Sequence, residues 1–427
     1  MDPSTAPSAR AAIAKHRVRV LQVEDLGEIA RELERTDSDP EGVALIARKG
    51  RTILVRVGDV SLKASPLLKQ EFLAVGADAA HARGVADHSV ERSIVVLAAT
   101  LGQYRRVVPK LERQPFHLGD VGRAVESAIA NFSRRSPRTI RGPHRSVVLG
   151  DRPKTMGVVN VTPDSFSDGG RFLGSDDAVA HAERLIAEGA AVLDIGAEST
   201  RPGAGEVSVD AEWARLAPVL TALQARVSIP LSVDTRHADV ARRAIDAGAD
   251  WINDVSGLRD PEMRRVVARA GIPVVVMHMR GDPTTMQWDT TYTDVRDEVY
   301  GALGSATELA IADGILPEHI LVDPGLGFGK SGAQSLELLE HAGEFRSLGY
   351  PVVLGASRKS FLGAATSAAP VDDRLEASLA AAVVGAVRGA ELIRAHDVRA
   401  TVRALAMVHA ARTAGVGASR EPPPPPE

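Results

Sequence analysis

Cysteine is missing from all 427 residues, and aromatic residues make up only 4% of them. Without cysteine there is no disulfide, no thiolate metal site and no cysteine nucleophile, which suits a reducing compartment. An excess of one charge is missing too. A net charge of -4 and a pI near 6.3 give no footprint for nucleic acid or an acidic membrane. No apolar run approaches ~20 residues, so no bilayer span is expected. The first twenty residues scatter Asp2, Arg10, Lys15 and His16 where a secretory signal would have its apolar core. The expectation is a soluble, cytoplasmic protein with no nucleic-acid or membrane partner. What is present is a 44% hydrophobic chain, long enough for two or three domains.

Residues 1–14 and the proline-rich tail 414–427 read as disordered ends, because neither can bury enough apolar surface to order itself. Residues 15–132 read as a small mixed α/β domain, with strands near 43–46, 53–57 and 94–98 and helices near 67–75, 101–111 and 121–132. Residues 133–146 hold five arginines, two prolines and a glycine, and read as a solvated linker.

From there to residue 413 a rhythm repeats: helical pattern, glycine, short apolar run. Leu185-Ile-Ala-Glu-Gly189 leads into Val192-Leu-Asp-Ile195, and Val267-Ala-Arg-Ala-Gly271 leads into Val274-Val-Val-Met277. Glycine is the expected left-handed stop after a helix, and each run has the length of a parallel strand buried on both faces. Eight such strands in roughly 255 residues predict an α/β fold, a (β/α)₈ TIM barrel over 147–413 preceded by the smaller domain. A doubly wound open sheet is the alternative, weakened by the lack of a Gly-x-Gly-x-x-Gly fingerprint.

Function in such a barrel gathers at the C-terminal strand ends. Here every one of them is polar: Asn160; Glu198-Ser-Thr-Arg-Pro-Gly203; Asp234-Thr-Arg236; Asn253-Asp254; His278-Met-Arg280; Asp323-Pro-Gly-Leu-Gly-Phe-Gly-Lys330; Ser357-Arg-Lys-Ser360; Arg394-Ala-His396-Asp397. Arg394, His396 and Asn160 can hold a phosphate ester or pyrophosphate, with a hard cation sharing the oxygens. Asp234, Asn253 and Asp323 can take the donor-rich edge of a heterocycle such as an amino-pyrimidinone. Asp254 and Asp397 read as helix N-caps and stay outside the site. His278 reads equally as a core histidine or a contact. The glycines at 325, 327 and 329 read by default as a tight turn.

The stretch 156–170, Met-Gly-Val-Val-Asn-Val-Thr-Pro-Asp-Ser-Phe-Ser-Asp-Gly-Gly, together with the strand-end motifs just given, resembles the dihydropteroate synthase family over roughly residues 155–411. The resemblance implies condensation of 6-hydroxymethyl-7,8-dihydropterin pyrophosphate with 4-aminobenzoate, giving 7,8-dihydropteroate and pyrophosphate. It implies that Asp234, Asn253, Asp323 and Lys359 bind the pterin with Arg394 beneath it. Asn160, Arg394 and His396 would hold pyrophosphate and its Mg²⁺, with Asn160 the metal contact. Phe166, Thr200, Arg201, Pro202 and Ser360 would shape the 4-aminobenzoate pocket. Asp168, Lys359, Arg394 and His396 would form the catalytic group, Asp168 stabilising a cationic methylene once pyrophosphate has left. The resemblance also implies a homodimer; the Ala-rich helix 375–387 and its neighbour are candidates for its interface, although packing against the barrel calls for the same small residues.

Departures from the family pattern are mild: Ala197, Leu326, and Ser335 where asparagine often stands, which questions the geometry of the sixth loop. The N-terminal domain is a larger one, read as structural. Two alternatives stay open. One is a methyltransferase acting on a methylated tetrahydropterin; the other is a non-catalytic pterin-binding paralogue, which the intact Asn160, Asp168, Lys359 and His396 argue against.

Overall fold

The computed structural model describes residues 13, 16–23, 25–134, 136–161, 173–198, 207–366 and 369–414, and these form two units, Met1–Ser133 and Arg134–Glu427. Among the described residues no helix is long and apolar enough to cross a membrane.

The first unit opens with two helices, α1 (Leu26–Glu34) and α2 (Pro40–Ala47). The apolar stretch 43–46, expected as a strand, lies inside α2. Asp39 caps it by accepting from the backbone N–H groups of Glu41 and Gly42, and Pro40 presets the first turn. An antiparallel sheet follows, in the order β1 (Thr52–Ser61), β3 (Arg92–Thr100), β2 (Asp78–His81). The helices α3 (Ala64–Leu73), α4 (Leu101–Leu111) and α5 (Leu118–Ser133) complete this unit. Its core gathers Leu68, Phe72, Leu97, Val107, Leu111 and Leu118, all fully buried.

In the second unit eight parallel strands lie side by side. They are β6 (Lys154–Asn160), β7 (Val192–Gly196), β8 (Leu231–Asp234), β9 (Trp251–Asp254), β10 (Val274–Met277), β11 (Ile320–Asp323), β12 (Val353–Leu354) and β13 (Leu392–Ala395). β13 pairs with β6, and a parallel bridge from Val322 to Val352 joins the remaining edges, so the sheet closes into the expected barrel. Around it run α6 (Leu173–Ala187), α7 (Val209–Gln224), α8 (Ala238–Asp246), α9 (Pro261–Ala270), α10 (Val295–Ala312), α11 (Gly332–Glu340), α12 (Ser360–Ala365), α13 (Leu375–Arg388) and α14 (Val398–Thr413). The repeating glycine does what its place predicts: Gly271 closes α9 in the left-handed region at φ 61°.

The stretch 133–146 is not a solvated linker. Residues 138–141 form β4 (Arg138–Arg141), which pairs antiparallel with β5 (Ser146–Leu149). Ile140, Val147 and Leu149 pack with Met156, Val192, Trp251, Val275, Leu321, Val353 and Leu392, making the floor of the barrel. Its arginines are structural ties. Arg145 meets the fully buried Asp250 at 2.8 Å, and Asp250 also accepts from the backbone N–H groups of His144, Arg145 and Leu231. Arg138 meets Glu391 at 2.7 Å and donates to the Gly349 carbonyl. A buried carboxylate with four donors is satisfied, and the hairpin supplies three of them to Asp250.

Candidate active site

Side chains alternate along a strand, so residues two apart share a face. The floor residues therefore point the way upward. Val192 leads to Asp194 on β7, Trp251 to Asn253 on β9, Leu321 to Asp323 on β11 and Leu392 to Arg394 on β13. Above an apolar floor the barrel carries a polar layer.

That layer centres on Asp194, which is fully buried. Its Oδ2 accepts from Arg394 Nε at 2.6 Å and from Asn253 Nδ2 at 3.0 Å, and its Oδ1 from the Ser232 hydroxyl at 2.7 Å. The other arm of Arg394 donates to Asp234 Oδ2 at 2.9 Å. Burial works against the charge on Arg394, but the carboxylates of Asp194 and Asp234 hold its pKa above the usual value. Burial pushes the Asp234 carboxyl up to about 7, against the pull of Arg394.

Asp323 and Lys359 form the second group. Burial raises the Asp323 carboxyl, opposed chiefly by Lys359, and Oδ1 accepts from the Gly325 N–H at 2.7 Å. Lys359 donates to the Leu326 carbonyl at 2.6 Å and lies 4.4 Å from the centre of the Phe328 ring. Burial brings its pKa down to about 8. A Cβ placed on Gly355 would lie 3.7 Å from Arg394 Cβ and 3.8 Å from Lys359 Nζ, so both cations flank the tip of β12.

The sixth loop is locked by its own backbone. Gly325 has φ 68°, and a Cβ there would fall 1.9 Å from the His278 carbonyl oxygen. Lys330 is buried beneath, donating to the carbonyls of Gly325 and Phe328 and to His278 Nδ1 at 2.9–3.0 Å. Burial, then the Lys330 charge, takes His278 down to about 3, so it is a neutral acceptor in the core. Ser335 accepts from the Gly327 N–H at 3.1 Å and donates to the Ser331 carbonyl. The doubt about the sixth loop is thereby answered: a serine in place of asparagine still provides a polar contact to that loop.

At the tips of β12 and β13, His396 Nδ1 lies 3.0 Å from the Ser357 hydroxyl. Asp397 occupies the N-cap position of α14, yet its carboxylate pairs with both arms of Arg358 at 3.0 and 2.7 Å instead of capping. Asp254 holds the turn after β9, accepting from Ser256 and Leu258. Ser360 is the first residue of α12, and Asn160 ends β6. At the tips of β7 and β8, Glu198 takes both arms of Arg236, while Glu212 meets His237 Nδ1 at 2.6 Å. Phe166, Asp168, Thr200, Arg201 and Pro202 lie outside the described residues.

The structure thus gathers Asp234, Asn253, Asp323, Lys359 and Arg394 in one mouth. Sequence reasoning missed Asp194, the hub, and Phe328, which faces Lys359. One signal for Asp194 was available: a lone carboxylate inside a strand buried on both faces must have partners.

Fold and site together define a (β/α)₈ barrel whose mouth holds a heterocycle-sized set of buried carboxylate, amide and cationic groups. A family model described as pterin binding enzyme matches residues 156–396, and the chain belongs to that family. Dihydropteroate synthase of Escherichia coli is 44% identical over 262 residues, 61% of this chain and 93% of that protein. Two haloarchaeal relatives, from Halobacterium salinarum and Haloferax volcanii, are described as probable bifunctional folylpolyglutamate synthase/dihydropteroate synthase. They are 41% and 39% identical over 92% and 85% of this chain, which spans only 47% and 43% of their length. Among solved structures, Xanthomonas albilineans dihydropteroate synthase with 4-aminobenzoic acid superimposes with a TM-score of 0.61. It is 46% identical, covering 64% of this chain and 99% of that one.

Proposed function

We propose that this protein is a dihydropteroate synthase of folate biosynthesis, condensing 6-hydroxymethyl-7,8-dihydropterin pyrophosphate with 4-aminobenzoate. The observation that carries this reading is the joined set Asp194–Arg394–Asp234–Asn253 in the barrel mouth, with Asp323 and Lys359 alongside. Similar proteins have been crystallised with 4-aminobenzoate and with 7,8-dihydropteroate.

In this reading Asp234 and Asp323 accept from the N–H edge of the pterin and Asn253 completes the edge. The Arg394 plane, held by two carboxylates, lies under the ring as a flat cationic surface. Lys359 donates to the pterin at its junction with the second substrate. Departure of pyrophosphate needs positive charge and N–H donors aimed at the oxygens where negative charge grows, the first supplied by Arg394 and the second by Arg394 and the His396 ring. Asn160 is a hard oxygen donor at the same rim, and its amide oxygen would hold a Mg²⁺ there. That ion would supply charge neutralisation on the leaving group. Phe166, Thr200, Arg201, Pro202 and Ser360 would wall the aminobenzoate pocket, and Asp168 would stand against the cationic methylene. These roles rest on resemblance.

The protein would act as a cytoplasmic homodimer. Most small residues of α13 face inward, Gly385 lying against Leu354, so a dimer would use the outer residues Leu375 and Val387 of α13 and Met407 of α14. The haloarchaeal names bring a folylpolyglutamate synthase into the setting of this chain.

The test is pyrophosphate release from the dihydropterin pyrophosphate with Mg²⁺, with and without 4-aminobenzoate. Aminobenzoate-dependent release with dihydropteroate as product is expected. Pterin binding without turnover would sink the reading.

A further inference from the structure

Antiparallel sheets that cover a core with one face normally turn polar residues to water on the other. The N-terminal sheet departs from this. Ile53, Val55, Val95 and Leu97 face its helices, and the alternate positions carry Leu54, Ala80, Ile94, Val96 and Ala98, with the charged Arg56 and Asp78 on the same face. The register sets Leu54 opposite Ala98 across the β1–β3 pair, and Ala80 opposite Val96 across the β2–β3 pair, so these side chains make an apolar strip along β3, bordered by Arg56 opposite Val96 and Asp78 opposite Ala98. Leu54 is 69% exposed and Ile94 41%. Contiguous exposed apolar surface marks an interaction site more often than chance exposure does.

Related proteins differ in whether they carry this unit. The match to the Escherichia coli enzyme uses 93% of that protein but only 61% of this chain, leaving no counterpart for most of the first unit. The match to the Halobacterium salinarum protein covers 92% of this chain, far more than the barrel unit holds, and that protein's description adds folylpolyglutamate synthase. The first unit therefore accompanies the second enzyme and is missing where only the synthase is named.

We propose that the apolar face of the β1–β3–β2 sheet is a docking surface for a folylpolyglutamate synthase, which would receive the pteroate product from a tethered neighbour. The inference rests on the synthase reading above. Held close, two enzymes in sequence raise the local concentration of the shared intermediate without any new chemistry.

The test mixes the 427-residue chain with the folylpolyglutamate synthase of the same genome, purified as a separate polypeptide, and follows binding by sedimentation velocity and biolayer interferometry. A complex is expected, and the double variant Leu54→Glu/Ile94→Glu should bind at least about tenfold more weakly. Aminobenzoate-dependent turnover and thermal midpoint should match wild type, since both positions are exposed and far in sequence from the barrel. The single variant Leu54→Lys guards against a folding defect in the double. Loss of turnover in the unaltered chain would fail the synthase reading and not this one. Three results would overturn the docking surface: no complex at about 100 μM, a complex the variants leave intact, or a patch-dependent contact only with a second copy or with the chain's own barrel.

Discussion

Arg394 Nε and Asp194 Oδ2 meet at 2.6 Å although 200 residues separate them, joining the last barrel strand to the second. The same carboxylate also holds Asn253 and Ser232, so it fixes three groups that face the mouth. Asp194→Asn keeps the shape but removes the charge that balances a buried guanidinium. The expected outcome is a loss of about 3 kcal/mol in stability by urea unfolding. Pterin affinity should fall more than tenfold by titration calorimetry, and unchanged affinity would remove Asp194 from its central place.

The pH dependence of kcat/KM follows from two opposed groups. Asp234 must be ionised to accept the pterin N–H edge, and its carboxyl is pushed up to about 7, so the rate falls as pH drops through that value. Lys359 must be charged, and its pKa is brought down to about 8, so the rate falls again as pH rises through it. A narrow bell between these limbs is expected. In Lys359→Arg the maximum falls and the alkaline limb moves to higher pH; Lys359→Ala loses turnover by at least about a hundredfold.

Gly325→Ala should be far worse than its single methyl suggests. The added carbon would fall 1.9 Å from the His278 carbonyl oxygen at a φ of 68°, with Lys330 already fixed beneath. The sixth loop must then give way, and Asp323 loses the Gly325 N–H that steadies it. A thermal midpoint several degrees lower and near-complete loss of activity are expected. Ser335→Ala, which frees the Gly327 N–H and drops the bond to the Ser331 carbonyl, should cost about 1 kcal/mol and retain most activity.

The barrel was legible because most of its strands are short apolar runs that follow a helix-ending glycine and stop at a polar tip. Asp234, Asn253, Asp323 and Arg394 were legible for the same reason: they sit where a run stops. Asp194 was not, because it lies two residues inside Val192-Leu-Asp-Ile-Gly196, where a pattern of strand ends gives it no prominence. Its partners come from three other strands, and nothing local in sequence announces them. The α2 segment failed for a related reason. Four apolar residues fit helix and strand alike, and Asp39-Pro40 decided between them. Arg358 and Asp397 lie 39 residues apart, so their pairing displaced a cap that local reasoning favoured.

Protonated His237, at the N-cap of α8, beside the buried Glu212 makes a pH-dependent tie between α8 and α7. The hydrogen bond to Glu212 raises the histidine pKa above its ordinary 6.5 despite partial burial. A raised folded pKa gives stability that is fully present below the unfolded value and lost as pH climbs through the folded one. The melting temperature of wild type should therefore exceed that of His237→Asn most at acid pH, with the gap narrowing from pH 6.5 upward. A gap that widens with pH would contradict the pairing.

The hairpin β4–β5 decides where this chain tolerates division. Because Ile140 is seated in the barrel floor and Arg138 and Arg145 are bolted to Glu391 and Asp250, the arginine-rich stretch belongs to the part it seemed to lead up to. A protease cut or recombination junction inside it would leave an unplugged barrel. Exchange of one N-terminal unit for another, or for none, has its clean seam upstream of Arg134.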